Sequence, residues 1–158
     1  MKLYVQQKVF SWRDKFSITD EFGVAQYYAE SEGFSFGKKL HLKDTYGNEL
    51  AFIYEKFMSF MPRYYISQYG QYVAQVVKEF SFLRPKYHIE GLGWRIDGDV
   101  WSRNYLLVDE NGFTVATVSK AWLSWGDAYE IDVAEVADPV IALAIALVID
   151  AVISDQRS

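Results

Sequence analysis

The stretch from Asp138 to Ile153, DPVIALAIALVIDAVI, decides the fold. Asp138 is a good N-cap and Pro139 suits the first helical position. Val140 to Ile149 then runs without a polar residue, and after Asp150 the apolar character resumes at Ala151, Val152 and Ile153. A helix that is apolar on every side belongs in a protein core or a bilayer. From Pro139 to Ile153, at ~1.5 Å per residue, this one is about 22 Å long, too short for a hydrocarbon core of ~30 Å. Strands about six residues long also span ~20 Å, so a cylinder of such strands would enclose it. Ala142, Ala144, Ala146 and Ala151 would let those strands approach closely.

The rest of the chain supplies strands. An alternating run, then Asp-x-x-Gly, then a second alternating run recurs in FSITDEFGVAQYYAE around Asp20 and Gly23, in LHLKDTYGNELAFIYEK around Asp44 and Gly47, and in YLLVDENGFTVATVSK around Asp109 and Gly112. A fourth copy, YYISQYGQYVAQVVK, has Ser67 in place of Asp and keeps Gly70. Asp or Ser at the first position of a type I turn accepts a backbone hydrogen bond, and Gly three residues on takes the left-handed conformation of a G1 bulge. Each copy therefore predicts a hairpin. The longer interval before Asp109 holds YHIEGLGWRIDGDVWSRN, read as an extra pair of strands turning at Gly98. Alternation marks one face of the sheet as apolar: Tyr129, Ile131 and Val133 oppose Glu130 and Asp132, and Leu40 and Leu42 oppose His41 and Lys43. With an N-terminal strand carrying Leu3, Val5 and Val9, the total is about a dozen strands, near the size at which a closed barrel holds a helix of ~10 Å diameter. The fold class is mainly β: a closed antiparallel barrel around a buried helix over 139–153.

Composition bounds the function. With 158 residues, 51% of them hydrophobic, a single domain over 1–158 is expected. The absence of cysteine excludes disulfides and thiolate chemistry and suits a reducing, cytoplasmic setting. MKLYVQQKVFSW has no apolar core of signal-peptide length. A net charge of −5 argues against nucleic acid as a partner and against a general attraction to anionic membranes.

The Asp-x-x-Gly hairpins, the segment VATVSKAWLSWGDAYEIDV from Val115 to Val133 and the closing apolar helix resemble the LURP-one-related (LOR) family, in particular its bacterial YxjI-type members. The stretch SKAWLSWGDAYEIDV from Ser119 is the most specific part. The resemblance implies a tubby C-terminal-like fold, a twelve-stranded barrel around a central hydrophobic helix, shared with tubby proteins and phospholipid scramblases. It implies no reaction. Tubby domains bind phosphoinositides through basic residues, and this chain has no motif onto which those positions carry.

The residues that could do chemistry have plainer roles. Asp97-Gly98-Asp99 offers two carboxylates, yet between alternating runs it reads as a hairpin turn with no third metal ligand at a recognisable spacing. His41 and His88, the two histidines, lack a zinc-site context, and His41 should lie on the outer face, solvated or paired. Ser102, Ser119, Ser124 and Ser154 have no nucleophile elbow, and Glu90-Gly91-Leu92-Gly93 opens no helix that would cradle a phosphate. No catalytic residue, metal or cofactor is expected. Two basic clusters remain, Lys38 with Lys39, and Arg84 with Lys86 around Pro85, the latter beside Phe80, Phe82 and Tyr87. Basic residues beside aromatics can meet a lipid headgroup. Trp122, Leu123, Ser124 and Trp125 read as packing over a barrel mouth.

The expectation is a non-enzymatic cytoplasmic module with a protein or lipid partner. Its alternative is a phosphoinositide- or anionic-lipid-binding protein in weak peripheral contact with a membrane through Lys38, Lys39, Arg84 and Lys86. An enzyme using surface carboxylates is less favoured. A carrier for an apolar ligand competes with the helix for the interior.

Overall fold

The computed structural model describes residues 1–6, 15–32, 38–56, 58–123 and 126–157. Its first six strands are β1 (Lys2–Gln6), β2 (Lys15–Thr19), β3 (Ala25–Ser31), β4 (Lys39–Asp44), β5 (Glu49–Glu55) and β6 (Arg63–Gln68). There follow β7 (Gln71–Glu79), β8 (Lys86–Glu90), β9 (Arg95–Asp99), β10 (Asn104–Val108), β11 (Thr114–Leu123) and β12 (Gly126–Val133). The helix α1 (Pro139–Arg157) runs four residues beyond the expected end at Ile153. Each strand pairs antiparallel with its neighbours in sequence, and β1 pairs with β12 to close the barrel. Val9 of the expected first strand lies outside the described residues.

Three turns have the anticipated chemistry. Asp20 Oδ1 accepts the N–H groups of Phe22 and Val24 at 2.9 and 3.0 Å, and Gly23 N–H donates to the Asp20 carbonyl at 3.1 Å. Asp44 and Asp109 repeat this at Tyr46 and Asn48, and at Asn111 and Phe113. A register shift beside each turn marks the bulge. The Ser67 copy differs: Gln68 pairs with Gln71 across a two-residue turn in which Tyr69 and Gly70 have φ of 51° and 79°. Positive φ at both central residues is the type I′ pattern, so Ser67 is a strand residue.

Asp97-Gly98-Asp99 is also strand. It lies in β9, with Gly98 opposite Tyr105 and Asp99 opposite Asn104. The turn follows at Val100 to Arg103, where Asp99 Oδ1 accepts the N–H groups of Trp101 and Ser102 at 3.0 and 3.3 Å. Glycine is required at 98 because β10 passes so close that a Cβ there would sit 2.7 Å from the Asn104 carbonyl oxygen.

Asp138 Oδ1 caps α1 by accepting Val140 N–H at 2.9 Å, and its Oδ2 accepts Gln68 Nε2 at 2.8 Å, tying the helix start to β6. Every residue from Val140 to Ile153 is buried. The strands enclose it with Leu3, Ile18, Leu40, Leu42, Ile53, Ile66, Leu107 and Ile131, all fully buried. A buried aliphatic side chain contributes roughly 1.5–3 kcal/mol, so the helix is the barrel's main stabilising partner. Among the described residues no helix is long and apolar enough to cross a membrane.

Candidate functional site

The barrel has two unlike ends. Because strands alternate in direction, the three Asp-x-x-Gly turns, the Tyr69-Gly70 turn and the link from β12 to α1 all lie at one end. The connections β7–β8 and β9–β10, residues 56 and 58–62 and the C-terminal turn of α1 lie at the other. Arg84 and Lys86 stand at that second end, on the β7–β8 connection and the start of β8.

Three clefts meet there at Pro85. One of about 320 Å³ is lined by Met61, Lys78, Phe80, Phe82 and Arg84, and one of about 290 Å³ by Leu83, Arg84, Asp99 and Trp101. The third, about 370 Å³, opens between β8 and β9 and is lined by Glu79, Lys86, His88, Arg95 and Asp97. It exists because those strands splay: their one register pair among the described residues is His88 with Arg95. Phe82 and Leu83 are 89% and 95% exposed, and Phe80 meets Phe82 edge-on at 4.9 Å. Met58 and Phe60 add exposed apolar surface on the neighbouring connection.

The floor of this end is ionic. Asp150, on the last part of α1, accepts Arg103 Nε–H at 2.5 Å, and both side chains are buried. The Arg103 guanidinium lies 5.7 Å from the Tyr129 ring centroid. Burial, and then the Asp150 charge, push the hydroxyls of Tyr105 and Tyr129 well above the usual tyrosine range. The pair anchors the β9–β10 turn to the helix, and that turn presents Asp99 and Trp101 to Arg84. Hydrogen bonding to Ser102 holds the Asp99 carboxyl below its ordinary value, with backbone hydrogen bonds and the Arg84 charge adding to it.

A family model described as LURP-one-related matches residues 1–150. The chain belongs to the LURP-one-related family. It is 41% identical over 157 residues to the uncharacterized protein YxjI of Bacillus subtilis (strain 168), covering 99% of this chain and 96% of that one. A solved protein structure from Arabidopsis thaliana has the same fold, with a TM-score of 0.69 at 17% identity, over 96% of this chain and 90% of that one.

In this LURP-one-related barrel the four basic residues singled out in the sequence share one end but not one patch. Lys38 and Lys39 stand at the start of β4, separated from Arg84 and Lys86 by β5, β6 and β7. Lys38 is half-buried, which lowers its pKa against the opposing pull of Glu55, and Lys39 Nζ is 3.7 Å from Glu32. The histidines are on the outer face and paired. His88 is held by Glu79 at 3.1 Å and Glu90 at 2.9 Å, and His41 by Glu32 at 2.7 Å and by Glu49, stacked on Phe52. Asp97 lies 3.3 Å from Arg95. Among the described residues no group of three His, Asp or Glu side chains is arranged to hold a metal ion.

Two features differ from the sequence reading. Trp122, expected to pack over a barrel mouth, is 81% exposed at the end of β11; Ser124 and Trp125 lie outside the described residues. The buried Asp150–Arg103 pair went unread, although an Asp inside an otherwise unbroken apolar helix was its signal. A larger opening of about 580 Å³ between β1 and β2 is lined by Tyr4, Lys15, Phe16 and Phe22.

Proposed function

We propose that this LURP-one-related protein is a non-enzymatic cytoplasmic binding module whose rim around Pro85 docks on an anionic lipid surface. Phe80, Phe82 and Leu83 enter the interface, and Arg84 and Lys86 face the headgroups, assisted by Lys78. The observation that carries this reading is the exposed Phe80–Leu83 run continuing directly into Arg84 at the edge of three clefts. Exposed aromatics followed by basic residues are how a folded domain meets a bilayer interface without spanning it. Seven of the carboxylates behind the net charge of −5 lie in turns at the far end of strands ~20 Å long, beyond a Debye length of ~8 Å. Of those lining the rim, Asp97 is paired with Arg95 and Glu79 with His88, while Asp99 faces Arg84 and offsets part of its charge. Lys38 and Lys39 sit farther along the same rim and add attraction without direct contact.

Sedimentation with phosphatidylserine vesicles tests the proposal. Binding is expected to fall steeply between low and physiological salt, to vanish with neutral vesicles, and to weaken both in Arg84→Ala with Lys86→Ala and in Phe82→Ser with Leu83→Ser. Lack of binding to every vesicle would instead favour an acidic protein surface as the occupant of the same rim.

A further inference from the structure

We infer that the opposite end of the barrel is a second docking surface, fitted to a basic, partly apolar segment of another protein. Its connections, residues 20–24, 44–48, 69–70, 91–94, 109–113 and 134–138, carry Asp20, Glu21, Asp44, Asp109, Glu110, Glu135 and Asp138 and no lysine or arginine. The Met1 ammonium, held by the Val133 carbonyl at 2.7 Å, and Lys2 stand at the same end, but seven carboxylates leave it net negative, and a net negative end attracts an approaching cation.

Aromatic rings project from these acidic turns. Phe22, Tyr46 and Tyr69 are 81%, 90% and 71% exposed, each immediately before the turn glycine. Nothing in the turns calls for an aromatic there. The Asp side chain and the glycine complete the Asp-x-x-Gly turns, and in the remaining one Asn111 fills the same position. At Tyr69 the backbone argues against an aromatic: with φ of 51°, Asn or Gly would adopt the conformation more cheaply. The three rings stand on successive hairpins, two strands or about 10 Å apart along the rim, and Phe113 extends the apolar surface on a fourth turn. Exposed aromatics among carboxylates offer Lys and Arg both charge pairing and cation–π contact, and offer apolar neighbours a surface to bury. The same charge repels nucleic acid and anionic membranes, which leaves a basic polypeptide as the matching chemistry.

The test uses the whole chain and a fluorescent peptide of repeated Lys-Leu-Lys-Trp, with a control peptide in which Glu replaces Lys. The triple variant Phe22→Asn, Tyr46→Asn, Tyr69→Asn keeps the net charge and places at each tip the residue already used at 111. Wild type is expected to bind the basic peptide and not the acidic one. The triple variant should bind at least about tenfold more weakly, a loss of ~1.4 kcal/mol, at an unchanged or higher Tm. Arg84→Ala with Lys86→Ala, at the far end, should bind as wild type does. Equal affinity in the triple variant, equal binding of the acidic peptide, or no binding to wild type would each overturn the inference.

Discussion

Arg103 Nε and Asp150 Oδ1 lie 2.5 Å apart inside the barrel, joining the β9–β10 turn to the central helix. Arg103 reaches this position from a left-handed backbone, φ 53°, which a non-glycine residue adopts only when its surroundings compensate. Removing one partner strands the other as a buried charge. Asp150→Asn and Arg103→Ala are each expected to cost about 3–5 kcal/mol in urea unfolding, whereas Asp150→Leu combined with Arg103→Met should recover most of that loss. If the two single variants were near neutral, the pair would not be the anchor of this end.

The helix predicts a second outcome. Ile145 is fully buried in the middle of α1. Ile145→Asp leaves a carboxylate without a partner, and circular dichroism on heating should show no cooperative transition. Ile145→Val, which removes one methylene, should cost about 0.5–1.5 kcal/mol and keep the transition sharp.

Most of this architecture was legible because each element is specified locally. An apolar helix shorter than a bilayer needs an enclosing wall, and Asp with Gly three residues later specifies a turn by hydrogen bonding and positive φ alone. The misreadings occur where composition is the same for two structures. Asp97-Gly98-Asp99 has turn composition, but its glycine serves the close passage of β10, and Asp99 caps the turn that comes after it. Ser67 occupies the Asp position of the other copies, yet Tyr69-Gly70 turns the chain two residues later. The candidate site was legible in part. Arg84 and Lys86 beside Phe80 and Phe82 were visible as a cluster, and their distance from Lys38 and Lys39 followed only from the order of strands around the barrel.

Two glycines separate conformational cost from steric cost. Gly47 has φ 85° and no atom within 4 Å of the place a methyl group would take, so Gly47→Ala is expected to cost only the left-handed penalty of about 1–2 kcal/mol. Gly98 has φ 116°, and its Cβ would stand 2.7 Å from the Asn104 oxygen and 2.9 Å from the Tyr105 Cα, both backbone atoms that cannot rotate away. Gly98→Ala should exceed about 3 kcal/mol, in the tail reached only through a specific structural conflict. Denaturant midpoints of the two variants check the ranking, and equal losses would contradict it.

His41 gives the stability a pH dependence. Burial alone would lower its pKa, but hydrogen bonds to Glu49 and Glu32 and their charges outweigh burial and raise it above the ordinary histidine value. Protonated His41 is therefore favoured in the folded state. A folded pKa above the unfolded one of ~6.5 contributes stability that is fully present below that value and is lost as pH rises through the folded pKa. Glu32 has its pKa lowered, chiefly by its hydrogen bond to His41, and its contribution fades in the opposite direction, as pH falls through the acid range. Tm should therefore decline as pH rises from about 6 through the folded pKa of His41, and only slightly, because solvent screens an exposed ion pair. His41→Gln keeps a polar side chain beside both carboxylates and removes the titration, so its Tm should be flatter across that window. An unchanged slope in His41→Gln would assign the pH dependence to another group.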